Sequence, residues 1–284
     1  LKVLKISNLK YYTTTLHNRL PLSLCLLFFV IAGFSCQSDT TNARSVNAAA
    51  LMVSAPVTEP APTVDARYLL GKFNPASHAD FVTIGSPYTD RPGMMLRKET
   101  FQAFETMWKA AAKDGVVLKI ISATRTFDQQ KDIWEGKWKR FEKDAPLPKN
   151  RALKILEYSS MPGSSRHHWG TDLDLNDLNN PTFEKGGKYE KVYAWLYQHA
   201  REYGFAQPYT AGRSAGYHEE KWHWSYTPLS KTFLERYKKN LRESDINGFK
   251  GAETASEIGI VQHYVLGIST ECLPLTATPN TTTH

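Results

Sequence analysis

Cysteine is scarce in this 284-residue chain: Cys25, Cys36 and Cys272 are the only three, and none stands in a Cys-x-x-Cys pair. That excludes a disulfide framework and a cysteine zinc knuckle, so a metal has to be held by histidine and carboxylate. Long runs of one charge are also missing. The excess of Lys and Arg over Asp and Glu, +7, is spread over many segments. Such a diffuse excess suits anionic envelope polymers or lipid headgroups and argues against nucleic acid as partner. There is no internal repeat, and a composition of 41% hydrophobic and 22% charged residues excludes a disordered, collagen-like or multispanning membrane protein.

Acidic residues are absent before Asp39, while Lys2, Lys5, Lys10 and Arg19 precede an apolar run from Leu20 to Ser35 that is short for a membrane span. Residues 1–36 therefore read as a signal peptide, with Cys36 placed like the lipidated cysteine of a bacterial lipoprotein. The expectation is an exported, cell-envelope or periplasmic protein attached to the membrane through Cys36. Residues 37–66, rich in Ala, Thr, Ser and Pro, read as a disordered tether. Residues 67–242 read as one domain, and 243–284 as a C-terminal extension with a disordered end.

Within the domain, Phe101, Phe104, Met107, Trp108 and Ala111 recur at helical spacing before Asp114-Gly115. Val116 to Ser122 is a β-branched strand, Asp128 caps a helix running to about Phe141, and Val192 to Tyr203 is a helix ended by Gly204. Thr171 to Leu175 and Trp222 to Tyr226 are two more short strands. Strands separated by helices and long polar loops indicate an α+β fold.

Two segments carry the chemistry: SSRHHWGTDLDL at Ser164 to Leu175, and HEEKWHW at His218 to Trp224. A hydrolytic zinc needs three nitrogen or oxygen ligands, an open position for water and a carboxylate to take the water's proton. His167, Asp174 and His223 supply the ligands and Glu220 the base. Alternation in the strand puts Asp172 and Asp174 on one face and Leu173 and Leu175 on the other. Glu220 and His223 are three apart, so the segment bends there or Glu220 sits in the loop before the strand. His168 and Glu219 are adjacent decoys, and Trp222 is expected to wall the site against water.

Ser165-x-His167-x-x-Gly170-x-x-x-Asp174, followed by Glu220-x-Trp222-His223, resembles the signature of VanY-type D-alanyl-D-alanine carboxypeptidases. These belong to the lysostaphin, D-Ala-D-Ala metallopeptidase and sonic hedgehog zinc superfamily. The resemblance runs from about Phe101 to Tyr226 and includes Arg125 and Gln130 after a strand, with Ala123 and Thr124 where the family has Gly and Tyr. It implies a small, mostly antiparallel sheet flanked by helices. It also implies Zn2+ on His167, Asp174 and His223, and Glu220 as general base and then acid. Arg125 would stabilise the oxyanion or clamp a substrate carboxylate, and Ser165, Gln130, Asp172 and Trp222 would lie toward substrate. Asp172 replaces the family's usual alanine, and it could instead be an acceptor for a ligand histidine or an alternative ligand. The implied substrate is the peptide stem of peptidoglycan, cut as a D,D-carboxypeptidase. L,D-carboxypeptidase or endopeptidase activity, or a zinc-containing module that only binds the wall, are the alternatives.

Overall fold

The computed structural model describes residues 65–274. The expected signal peptide with Cys36, the tether as far as residue 64 and the tail from residue 275 lie outside the described residues. The chain enters at Asp65, whose carboxylate accepts the Tyr68 N–H at 2.8 Å and so caps the short helix α1 (Ala66–Leu69). Strands β1 (Phe81–Thr83) and β2 (Met95–Arg97) pair antiparallel and lead into α2 (Lys98–Lys113). That helix buries Thr100, Phe104, Met107 and Ala111 along one face, as its spacing predicts.

The β-branched run after Gly115 yields a shorter strand than expected, β3 (Ile120–Ser122), because Val117 is 62% exposed and has no sheet partner. Helix α3 (Phe127–Arg140) is capped by Thr126, not by Asp128. Thr126 and Gln129 form a reciprocal capping box, which leaves Asp128 in the first turn. Helix α4 (Pro148–Leu156) opens on proline. Strand β4 (Asp172–Leu175) follows, then α5 (Glu190–His199), strands β5 (Phe205–Ala206) and β6 (His223–Tyr226), and helix α6 (Thr227–Asn240). The four-stranded sheet runs β3-β4-β6-β5 with every pair antiparallel, so the fold is α+β.

The two faces of this sheet differ sharply, and the difference creates the site. In β4 and β6, Leu173, Leu175 and Trp224 join Phe104, Met107, Leu196 and Phe205 in an apolar core beneath α2 and α5. Alternation then sends Asp172, Asp174, His223 and Ser225 to the opposite face, and the register pairs Asp174 with His223 and Asp172 with Ser225. Helices α1, α3, α4 and α6 contribute to a second core, around Trp134, Trp169, Phe233 and Tyr237.

The segment after Arg242, set apart in the sequence as an extension, contributes to that second core. Ile246, Phe249, Ile258, Ile260, Val261, Val265, Ile268 and Cys272 are all buried there. Its backbone is tied in as well: Trp134 donates to the Lys250 carbonyl at 2.8 Å, and the Ser269 N–H to that of Pro208 at 2.8 Å. Among the described residues, no helix is long and apolar enough to cross a membrane.

Candidate metal centre

The first histidine comes from a single 3-10 turn, Arg166–Trp169, closed by Gly170 at φ +73°. A side chain at Gly170 would need a left-handed conformation and would meet the Phe81 ring at 2.5 Å, so only glycine lets the chain turn here into β4. The turn also pins the strand end that carries Arg125. His167 Nδ1 donates to the Ala123 carbonyl at 2.8 Å, His168 Nδ1 donates to the Arg125 carbonyl at 2.7 Å, and the Arg125 N–H returns to the His167 carbonyl at 3.2 Å. His168 is fully buried and accepts the Gly163 N–H on its other nitrogen at 3.0 Å, and burial pushes its pKa down to about 3. It is a neutral clamp, outside the cavity lining.

A carbonyl can only accept, so His167 carries its proton on Nδ1 and aims the Nε2 lone pair inward. His223 is fixed the same way from the other side: its Nε2 lies 3.0 Å from Asp172 Oδ1, which leaves Nδ1 facing the centre. Asp174 stands between them, with Oδ2 3.4 Å from His167 Nε2 and Oδ1 3.1 Å from His223 Nδ1. One ligand atom from each of the three residues falls within 4.8 Å of the others, and all three are buried. Acceptors thus converge on acceptors, and His167 Nε2 and Asp174 Oδ1 have no hydrogen-bond partner. Native interiors rarely orphan such atoms, and a divalent cation resolves the conflict, so the N,O,N set fits a metal ion.

For His167 and Asp174 the electrostatics agree with that reading. Burial and the nearby Arg125 hold His167 below the ordinary histidine range, in its neutral ligating form. Burial also opposes ionisation of Asp174, but His167 and His223 outweigh it and hold the carboxyl well below its usual range. For His223, burial disfavours the imidazolium, yet hydrogen bonding to Asp172, Asp174 and Glu220 raises its pKa well above normal, so a cation binding at Nδ1 has to displace a proton there.

Glu220 sits in the turn before β6, as the second of the two sequence alternatives requires. The His223 N–H bonds back to the Glu220 carbonyl at 3.3 Å, and Glu220 Oε2 lies 3.5 Å from His223 Nδ1. Its backbone is held at both ends, the N–H by the Tyr209 carbonyl at 2.9 Å and the carbonyl by Gln207 Nε2 at 3.0 Å. Burial raises the Glu220 pKa. Glu219 pairs with Lys221 at 2.7 Å and does not line the cavity.

These groups open onto a cavity of about 500 Å³ lined by Arg125, His167, Asp174, Glu220, Trp222 and His223 among others. A terminal nitrogen of Arg125 lies 4.0 Å from Asp174 Oδ2. Three expected substrate contacts are not in the lining. Gln130 is buried on α3 and donates to the Ser160 carbonyl at 2.8 Å, so it supports the wall from behind. Ser165 is buried at the start of the 3-10 turn and its hydroxyl has no partner. Asp172 has no exposed surface, and both its oxygens are used: Oδ1 by Arg166 at 2.9 Å and by His223, Oδ2 by the Thr171 hydroxyl at 2.6 Å. Of the readings open for Asp172, acceptor for a ligand histidine is the one its contacts support.

Arg166 is itself fully buried, donates to Ser225 at 2.7 Å and lies over the Trp169 ring. Asp172 therefore orients His223 and also neutralises a buried guanidinium. Asp172→Asn is expected to weaken metal affinity about 10- to 100-fold and to cost about 3–5 kcal/mol of stability by stranding Arg166. Competition with a chromogenic chelator and urea unfolding check the two parts. Unchanged metal affinity would remove the orienting role.

Sequence reasoning missed Lys137, Tyr158, Ser159, Ser160, Asn180 and Tyr217, which also line the cavity. Only their arrival from separate loops and one helix face brings them together, and no local spacing signals it.

The site lies in a stretch of the chain that is similar to known proteins. Residues 93–229 match the family model described as VanY: D-alanyl-D-alanine carboxypeptidase. The chain is 31% identical over 135 residues to the "Putative carboxypeptidase YodJ" of Bacillus subtilis, covering 46% of each protein. It is 25% identical over 127 residues to a D-alanyl-D-alanine carboxypeptidase of Enterococcus faecalis, covering 44% of this chain and 46% of that one. The match thus spans about half the length of these curated relatives. Among solved structures, the LdcB LD-carboxypeptidase aligns at 23% identity and TM-score 0.46, over 66% of this chain and 80% of that one. The segment that carries both histidines, Asp174 and Glu220 lies inside this matched stretch, residues 93–229, which is similar to the VanY D-alanyl-D-alanine carboxypeptidases.

Proposed function

We propose that this chain is a zinc-dependent D-alanyl-D-alanine carboxypeptidase that removes the terminal D-alanine from peptidoglycan stem peptides. The observation that carries the proposal is the convergence of two inward lone pairs, on His167 Nε2 and His223 Nδ1, on the Asp174 carboxylate, with buried Glu220 beside them. A zinc ion held by these three residues would supply Lewis acidity and lower the pKa of water toward about 7.

The chain's own groups do the rest. Glu220 accepts a proton from the attacking water and returns it to the leaving amine. Its raised pKa suits it to both transfers better than an ordinary surface glutamate. Arg125 is permanently charged and stands beside the ligand set, where it stabilises negative charge developing on the scissile carbonyl oxygen. His167 and His168 hold the backbone from which Arg125 projects, so its position is fixed before substrate arrives. Trp222 walls the cavity against bulk water.

Mass spectrometry of muropeptides incubated with the zinc-loaded full chain tests the reading. Loss of one alanine from pentapeptide stems is expected. Loss from tetrapeptide stems alone would make it an L,D-carboxypeptidase, and intact stems would leave a wall-binding module. The basic N-terminal segment, the apolar run and Cys36 support export and a lipid anchor in the envelope. Cys36→Ser is expected to move the protein out of the membrane fraction, and retention there would refute the anchor.

A further inference from the structure

Lys137 is the unpaired cation of this cavity. It projects from α3 into the lining, half-buried, and its ammonium donates to the Ser159 hydroxyl. Among the described residues no carboxylate oxygen lies within ion-pair distance of it. Several other inward-facing cations are paired with carboxylates: Arg97 meets Asp80 and Glu99, Arg166 meets Asp172, and Lys221 meets Glu184 and Glu219. Burial lowers the Lys137 pKa, the sign of an ammonium given up by water without full compensation.

The charge of the whole cavity points the same way. Its lining holds two carboxylates, Asp174 and Glu220, against two side-chain cations, Arg125 and Lys137. Once a divalent ion joins His167, Asp174 and His223, positive charge is in excess and favours an anionic ligand. The two cations project from different points of the chain. Arg125 precedes α3 and sits 4.0 Å from Asp174, beside the reacting centre. Lys137 lies ten residues past the start of α3, about 15 Å of helix rise further on. Its ammonium meets the Ser159 hydroxyl, with Ser160 also in the lining, and the charges of Glu220 and Arg125 reach it across the cavity.

We infer that Lys137, assisted by the Ser159 hydroxyl, forms a carboxylate-binding subsite that holds a carboxylate of the peptide substrate away from the carbonyl under attack. The inference rests on the reading of the domain as a stem peptidase and deepens it. Arg125 is left to the oxyanion, and Lys137 takes the substrate's own charge, through a charge-assisted hydrogen bond shared with a neutral hydroxyl. A peptide stem offers such a carboxylate at its free C-terminus or on the side chain of a diamino-acid residue.

Calorimetric titration of the zinc-loaded full chain carrying Glu220→Gln, with and without Lys137→Met, separates binding from hydrolysis. Three probes are needed: N-acetyl-L-Lys-D-Ala-D-Ala as the free acid, its C-terminal amide, and the amide of the same peptide with diaminopimelate in place of lysine. Lys137→Met is expected to weaken the free acid about tenfold or more and to leave the plain amide within about twofold. Lys137→Arg, which keeps the charge, should preserve most of the preference for acid over amide. A loss confined to the diaminopimelate amide would assign the subsite to the side-chain carboxylate instead.

Equal losses on all three probes would mark a structural effect and overturn the inference, as would no loss on any, or no binding of any probe by the parent. The two readings separate cleanly when Glu220 is intact. Hydrolysis with an acid preference independent of Lys137 removes the subsite and keeps the peptidase. A Lys137-dependent acid preference without hydrolysis does the reverse.

Discussion

Glu220→Gln is expected to lower kcat on a D-Ala-D-Ala peptide by about 10²- to 10⁴-fold, the usual contribution of a positioned general base, while leaving the bound metal in place. The two halves of that expectation come from different observations. Catalytic loss follows from the position of the carboxylate: it lines the same cavity as Arg125 and lies 3.5 Å from the nitrogen of His223 that faces the centre. Metal retention follows from the ligand set, in which His167, Asp174 and His223 converge without Glu220. The amide is nearly the same size and shape, and the backbone bonds to Tyr209 and Gln207 do not depend on the side chain. The turn before β6 should therefore keep its form. Metal content by elemental analysis and alanine release by mass spectrometry, on the same preparation, check both halves. Full activity in the variant would dismiss Glu220 as the base. Loss of metal together with activity would instead make it a ligand. Hydrolysis lost with metal retained would exclude the binding-module alternative, since a domain that only binds has no use for a proton acceptor here.

The elements that could be read from the sequence are those whose information is local. The period of two in TDLDL separates Asp172 and Asp174 from Leu173 and Leu175, and the fold puts the leucines in the core and the aspartates against His223. The helical spacing around Phe104 and Met107 gives α2. Parity alone could not place Glu220 beside His223, because the answer depended on where β6 begins, and that is set by pairing with β4. Asp172 stayed ambiguous for a similar reason: its partners Arg166 and His223 lie six and fifty-one residues away, and only the tertiary fold brings both to it. Lys137 is one of several basic residues on α3, and its neighbours Lys139 and Arg140 are exposed. Its inward turn is a property of packing, not of spacing. The segment after Arg242 is broken into 3-10, α and π turns of three to five residues, too short for any periodic signal to rise above a loop.

That last misreading has the largest consequence for stability. A chain ended at Arg242, where the sequence suggested a boundary, is expected not to fold. It would lack Ile246, Phe249, Ile258, Ile260, Val261, Val265 and Ile268, all buried in the core that contains Trp134, Trp169 and Tyr237. Each large apolar side chain contributes about 1.5–3 kcal/mol on burial, so the seven together match or exceed the roughly 5–15 kcal/mol that separates a folded domain from its unfolded chain. Trp134 would also lose the acceptor of its indole N–H, and the Trp138 ring would lose the close backbone of Gly251. The damage reaches the site by a short route. Ser269 donates through its N–H to the Pro208 carbonyl at 2.8 Å and through its hydroxyl to the Gln207 carbonyl at 2.7 Å, and Gln207 in turn holds the Glu220 carbonyl. A chain ended at Pro274 keeps every one of these contacts and serves as the control. Thermal unfolding followed by far- and near-ultraviolet circular dichroism compares the two. The longer chain should melt cooperatively, and the shorter should show no cooperative transition and no near-ultraviolet signal. If the shorter chain melted within a few degrees of the longer and still bound metal, the segment after Arg242 would be an accessory and the core would close without it. That outcome would also mean that the matched stretch, which ends at residue 229, needs only α6 beyond it to hold its two histidines and Asp174 together.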